Sequence, residues 1–278
     1  MRRIFFILLI IFSPISLEAQ PKIKILTTTS FLQCAVKVLL PQEDIGLVIP
    51  ANMCPGIFDL RPKDLISIRE SQVIFAHGWE PFIKRIKAIS GRVEIVEIDG
   101  SLLEPSVFRE ATEKIKNILI KEFPSLRKPL ENNFEIFEKR LRKAEEEMQD
   151  LRRRIISQHI KVISHIYQKD FLESLGFEVV GVFARKQDTG PKKLEKLLKQ
   201  ASTSGVSLIV DNLQSQDGLG RFLSETYGVD YLVLTNFPQD DYFLSLRDSL
   251  KKIEGVLGGR GNLKYKHSFL NIRQESGS

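Results

Sequence analysis

A chain of 278 residues is long enough to bury one large or two medium hydrophobic cores. Its formal net charge of +6 is spread over a mixed-sign surface instead of being gathered into a basic arm, which argues against nucleic acid as a partner. Two cysteines, Cys34 and Cys54, are too few for a disulfide scaffold, and in an oxidising compartment they either pair or stay apart.

Arg2 and Arg3 precede an apolar run from Ile4 to Phe12 that is short for a membrane span and is broken by Ser13-Pro14. That pattern predicts a signal peptide over residues 1–19, cleaved near Ala19, and a periplasmic mature protein; a retained N-terminal anchor is the competing reading. No Cys follows the run to carry a lipid.

Short β-rich runs then alternate with helical stretches, the rhythm of parallel βαβ units. Strands are expected over Lys22–Leu26, Gln72–Ala76 and Val93–Ile98, with a helix near Phe31–Leu40 after the first. Next comes the clearest periodic signal: Phe134, Phe137, Leu141, Ala144, Met148, Leu151 and Ile155 recur three and four residues apart. Glu, Arg and Lys fill the other faces, many at the spacing that supports an exposed helix. From Phe134 to Ile155 such a helix runs about 30 Å, enough to lie along two lobes. A dimeric coiled-coil seam is the alternative; a strut packed on its own chain, in a monomer, is the expectation.

The rhythm resumes with strands over Lys161–Ser164, Glu178–Phe183, Ser207–Val210 and Tyr231–Leu234, and a crossover helix over Lys192–Ala201. The Gly-rich run Gly255–Gly261 reads as a flexible lead into a tail. The expected class is therefore α/β, two lobes of parallel sheet flanked by helices and joined by one long connecting helix. The boundaries drawn are 1–19 signal peptide, 20–128 first lobe, 129–158 helix, 159–255 second lobe and 256–278 tail.

Function in open parallel sheets gathers at the carboxyl ends of the strands. There lie His77, Asp99, His165, Asp211 and Asn236, whose imidazole and oxygen donors suit zinc or manganese. Each also has an ordinary use, since Asp and Asn cap helices and shape turns, and a lone His is more often a structural group. Catalysis finds no support: there is no phosphate-binding Gly-rich loop between strand and helix, no Gly-x-Ser-x-Gly and no His-Glu-x-x-His, so no catalytic residue and no catalytic cofactor are expected.

The run Cys54-Pro55-Gly56-Ile57-Phe58-Asp59-Leu60-Arg61-Pro62-Lys63-Asp64 resembles the segment of the zinc- and manganese-binding periplasmic solute-binding proteins, the cluster A or TroA-like group, in which a ligand His precedes an aromatic and a Pro-x-Asp turn. Val162-Ile163-Ser164-His165, followed by Phe171 to Val182, is similar to the strand, ligand histidine, helix and next strand of that group. The resemblance reaches to about Gly255 and implies capture of zinc or manganese as a transported ligand, for delivery to the membrane permease of an ABC transporter.

It is incomplete at the site. Gly56 stands at the first His position, and Ser106, in Glu104-Pro105-Ser106-Val107-Phe108, at the second. His165 matches the third, Asp211 takes the acidic position after a strand, and Asn236 stands where many members carry Asp. With His165 and Asp211 the surviving pair, Cys54 and His77 are the candidate replacements for a metal, and Asn236 a weaker one. Phe58, Asp59, Trp79 and Ser106 are expected to line the cleft, and the lost histidines leave open a non-metal small solute or a metal chelate as the ligand.

Overall fold

The structure, a computed structural model, describes residues 23–215 and 217–263, so the expected signal peptide and the chain beyond Leu263 lie outside the described residues. Three short strands of the first lobe are spaced by helices: β1 (Ile25–Thr27), α1 (Ser30–Leu39), β2 (Ile45–Leu47), α2 (Pro62–Glu70), β3 (Val73–Ala76) and α3 (Ile83–Ile89). A fourth, β4 (Val93–Ile95), precedes α4 (Pro105–Glu122). The order β2-β1-β3-β4 is parallel throughout, and β1 and β3 in its middle are buried at every residue. Burial on both faces is what the continuous Val-Ile-Phe-Ala run of β3 provides. Thr29 starts α1, its hydroxyl accepting from the Leu32 N–H, and Pro62 starts α2 where its missing N–H costs nothing.

The apolar stripe seen in the sequence becomes α5 (Arg127–Gln158), 32 residues and about 48 Å long. Leu130, Phe134, Phe137, Leu141, Leu151 and Ile155 are buried in a core cluster drawn from both lobes of the same chain. That packing, against α1, α4 and the C-terminal helix, uses the stripe internally and takes the place of a coiled-coil seam.

Beyond it come β5 (Lys161–His165), α6 (Lys169–Ser174), β6 (Glu178–Phe183), α7 (Pro191–Thr203), β7 (Leu208–Asn212), α8 (Leu219–Tyr227), β8 (Asp230–Leu234) and α9 (Tyr242–Leu263). The order β6-β5-β7-β8 repeats the all-parallel pattern of the first sheet. Gly176 closes α6 with φ +88°, a left-handed turn that glycine adopts without strain, and the Phe177 N–H returns to the Leu172 carbonyl.

α9 ties the lobes a second time. Tyr242 at its start is buried, stacks on Phe108 of α4 at 3.7 Å between centroids, and donates its hydroxyl to the Leu103 carbonyl at 2.7 Å. Phe31, Phe137 and Phe243 pack edge-on or tilted around the pair. The Gly255–Gly261 run, expected as a flexible lead, instead continues α9 to Leu263. Glycine costs a helix about 1 kcal/mol relative to alanine, and contacts of Ile253, Val256 and Leu257 with the core offset it.

Candidate functional site

Parallel strands all end on one side, so each lobe presents its loops at a carboxyl edge. Between the two edges lies a cavity of about 610 Å³, walled by Cys54, Gly56 and Trp79 of the first lobe and by Tyr167, Asn212, Gln214 and Asn236 of the second. Gln214 spans it, its amide Nε2 donating at 2.7 Å both to the Ala51 carbonyl of the opposite lobe and to the Thr235 hydroxyl.

The first-lobe edge is built on a buried acid. Glu80 accepts from the Thr28 hydroxyl at 2.5 Å, from the His77 N–H at 2.9 Å and from the Gly78 N–H at 2.8 Å. This fixes the loop that follows β3. Within it His77 is also buried, its Nε2 2.9 Å from the Thr29 hydroxyl and its Nδ1 without a partner. Burial pushes the His77 imidazolium down to about 4, against the pull of Glu80 in the other direction. Trp79 stacks on this ring at 4.9 Å between centroids, 16° from parallel, and lines the cavity.

The second-lobe edge is built on amides. Gln168 is fully buried and its Nε2 donates to two oxygens, Asn212 Oδ1 at 3.0 Å and Asn236 Oδ1 at 2.7 Å. Asn212 then donates to the Ser215 hydroxyl at 3.0 Å and Asn236 to the Tyr167 carbonyl at 3.1 Å. His165 ends β5, its Nδ1 accepting the Tyr167 N–H at 3.2 Å. A neutral ring that accepts there carries its proton on Nε2, and that nitrogen has no partner. Burial, reinforced by Arg185 and opposed by Asp217, brings the His165 imidazolium down to about 4. The ring is therefore neutral at pH 7 and offers a donor, where a metal ion needs a lone pair.

Asp211 neighbours His165 on the paired strand but belongs to the lobe interior. Its carboxylate accepts the Asn212 N–H at 2.7 Å and the Tyr231 hydroxyl at 2.9 Å, and Gly220 of α8 packs so close that a β-carbon there would sit 2.5 Å from Oδ2. Burial raises the Asp211 carboxyl, and those two hydrogen bonds only partly oppose it.

Of the residues singled out from sequence, Cys54, Trp79 and Asn236 line the cavity, while His77 and His165 lie buried behind its aromatic walls. Phe58 does not line it: the ring is buried against Phe82, since the apolar cluster under α2 claims it. Asp59 is exposed outside the cavity, and Ser106 is the exposed residue of the otherwise buried first turn of α4, beside Arg142 and Arg152 in a separate groove. Cys34 and Cys54 are both free thiols, Cys34 buried in the core with its thiol pushed up to about 12 by burial. Among the described residues, no three His, Cys, Asp or Glu side chains come close enough together to hold a metal ion.

Sequence reasoning missed Glu80, Gln168, Asn212 and Gln214. Asn212 was legible from strand parity, because consecutive residues of β7 face opposite ways and only one of Asp211 and Asn212 can look into the cleft. Glu80 sits in the loop past β3 and Gln168 in a single 3-10 turn past β5, both too short for any periodicity to mark them.

The family model described as zinc-uptake complex component A, periplasmic, matches residues 25–256. No curated protein sequence matches significantly. Among solved structures, a crystal structure of ZnuA superposes with a TM-score of 0.74 at 15% identity, covering 84% of this chain and 98% of that one. A ZnuA deletion mutant with zinc bound gives 0.72 at 16% identity, covering 84% and 97%. The cadmium-bound periplasmic metal-binding protein of Candidatus Liberibacter asiaticus gives 0.70 at 17% identity, covering 84% and 98%.

Proposed function

The chain belongs to the periplasmic zinc-uptake component A family, and from that premise we propose that it captures a solute between its lobes and delivers it to the membrane permease of an ABC transporter. The observation that carries this reading is the cavity of about 610 Å³ bounded by the carboxyl edges of both sheets. Export to the periplasm, with the leader removed near Ala19, belongs to the same reading, and so does the absence of catalysis: the hydrolysis of ATP falls to other subunits.

Family membership supports zinc or manganese as the cargo, and solved relatives bear the names of cadmium, manganese and zinc complexes. In this chain the first-lobe donor would be Cys54, with His165 opposite it, and His165 could ligate only after releasing the Tyr167 N–H. Asn236 could ligate only after releasing Gln168. Asp211 and His77 would have to turn out of their buried partners as well.

That amount of rearrangement is the observation behind a second reading, in which the same cleft takes a non-metal small solute or a metal already chelated. Donors spent on internal hydrogen bonds do not strip water from an ion, and four-coordinate zinc normally takes three or four protein ligands. Elemental analysis of protein exported without a metal-binding tag, followed by calorimetric titration with zinc and manganese with and without reductant, decides between them. One equivalent of tightly held metal is the expected result for bare-ion cargo. No stoichiometric metal in either redox state removes that reading and leaves the second.

A further inference from the structure

We propose that the cleft is built to clamp a planar heteroaromatic ligand carrying an N–H donor, free or as its metal complex, between Trp79 and Tyr167. This rests on the reading of the protein as a solute carrier and names the class of solute. Each lobe ends a central strand with the same device. His77-Gly78-Trp79 follows β3 and His165-Ile166-Tyr167 ends β5, so that a buried imidazole is followed two residues later by an aromatic ring on the cavity wall.

Trp79 is 52% exposed and Tyr167 55%, and both of these exposed rings lie on the wall of the one cavity, where a ligand can cover them. Neither ring is loose. Trp79 is stacked on His77, which is itself held by Thr29 and lies 5.9 Å from Phe31. Tyr167 packs at 5.1 Å on His165, which is backed edge-on by Phe183 at 5.4 Å. Fixed aromatic faces on opposite lobes of one cavity suit a flat ligand, because stacking on a rigid ring costs little conformational entropy. Ile98, Leu102 and Phe237 add apolar wall on either side.

The polar complement specifies the edge of the ligand. Gln214 is more than nine-tenths buried, lines the cavity, and spends its amide nitrogen on Ala51 and Thr235, while its Oε1 has no partner. A buried carbonyl oxygen without a donor is costly, and a ligand N–H would satisfy it once the Gln214 side chain turns that oxygen, closed to solvent as it stands, toward the cavity it lines. A volume of about 610 Å³ also fits a drug-sized molecule far better than a bare ion.

Trp79 is the only tryptophan in the chain, so its emission reports the site directly. The full chain, as exported, would be titrated with zinc chloride, zinc citrate, pyridyl-benzimidazole and the zinc complex of pyridyl-benzimidazole, following emission and heat. The expected result is one-to-one saturable binding of the planar probe, free or zinc-loaded, with quenching of Trp79 and none by zinc citrate. Trp79→Ala and Tyr167→Ala should each weaken the planar probe tenfold or more by calorimetry, with a single cooperative unfolding transition showing that each variant is folded at the titration temperature. A planar probe that fails to saturate, or that binds the variants as well as the parent, overturns the clamp. Tight zinc binding indifferent to both substitutions also overturns it while sparing the carrier function; failure of all four probes removes the clamp and zinc cargo together.

Discussion

The two sheet edges that face the cleft solve the same problem with opposite chemistry. After β3 a buried carboxylate, Glu80, collects two backbone N–H groups and a threonine hydroxyl. After β5 a buried amide, Gln168, supplies two hydrogen bonds to the oxygens of Asn212 and Asn236. The first edge gathers donors around an anion and the second gathers acceptors around a neutral donor. A polar residue at a strand end is available to cargo only if the protein has not already satisfied it, and here most polar groups of both edges are spent internally, while His77 Nδ1, His165 Nε2, Gln168 Oε1 and Gln214 Oε1 are buried without a partner.

The anionic edge should be the more fragile. Glu80→Ala strips acceptors from two buried N–H groups and a hydroxyl at once, and we expect a loss of about 3 kcal/mol, read by urea unfolding. Glu80→Gln keeps an acceptor but adds an amide nitrogen among donors, for a loss of about 2 kcal/mol. If Glu80→Ala costs under about 1 kcal/mol, the carboxylate is no more than a surface residue in energetic terms and the contrast between the edges disappears.

At the amide edge, Gln168→Leu leaves Asn212 Oδ1 and Asn236 Oδ1 without their shared donor in a buried site. A loss of about 2 kcal/mol is expected, smaller than for Glu80→Ala because two buried groups, and not three, lose their partner. A larger loss than at Glu80 would reverse the ranking and make the second lobe the better organised one.

Acid separates the edges in another way. His77 and His165 both sit near 4 in the folded chain, below the ordinary value of 6.5, so the unfolded chain binds more protons between those limits. Stability is full above about pH 6.5 and falls as pH drops toward 4, by about 1 kcal/mol per pH unit for each histidine. Asp211 and Glu104 act with the opposite sign, since their raised carboxyls make the fold lose stability as pH rises just above the ordinary carboxylate range, and they flatten the lower part of the curve. His165→Asn and His77→Asn should each remove about half of the slope between pH 6.5 and 5 in urea titrations. A slope unchanged by either substitution would place the titration elsewhere.

How much of this was legible depended on whether a residue sat on a repeating element. The stripe from Phe134 to Ile155 announced α5 because seven apolar residues kept one helical face, and the parallel rhythm announced both sheets. β2, only Ile45-Gly46-Leu47, is too short to show alternation and was not anticipated. His77 and His165 were found because they follow apolar strands. Their burial was not legible, because it comes from Phe31, Phe183 and the exposed rings laid over them, contacts remote in sequence. Phe58 was misassigned to the cleft for the matching reason: its partner Phe82 is 24 residues on, beyond any local pattern.

The finest test concerns the residue that the sequence favoured and the cleft does not use. Asp211 faces the interior of the second lobe, where the Tyr231 hydroxyl donates to Oδ2 at 2.9 Å and Arg221 lies over the Tyr231 ring at 5.3 Å. Tyr231→Phe removes that hydroxyl and leaves the Asn212 N–H as the remaining described donor to the carboxylate, which should cost about 1 kcal/mol and drive the Asp211 carboxyl further up. Because Asp211 belongs to the interior, the affinity of the cleft for any probe should not move. A Tyr231→Phe variant with parent stability but altered ligand affinity would put Asp211 back among the residues that touch cargo, and would make the second edge acidic like the first.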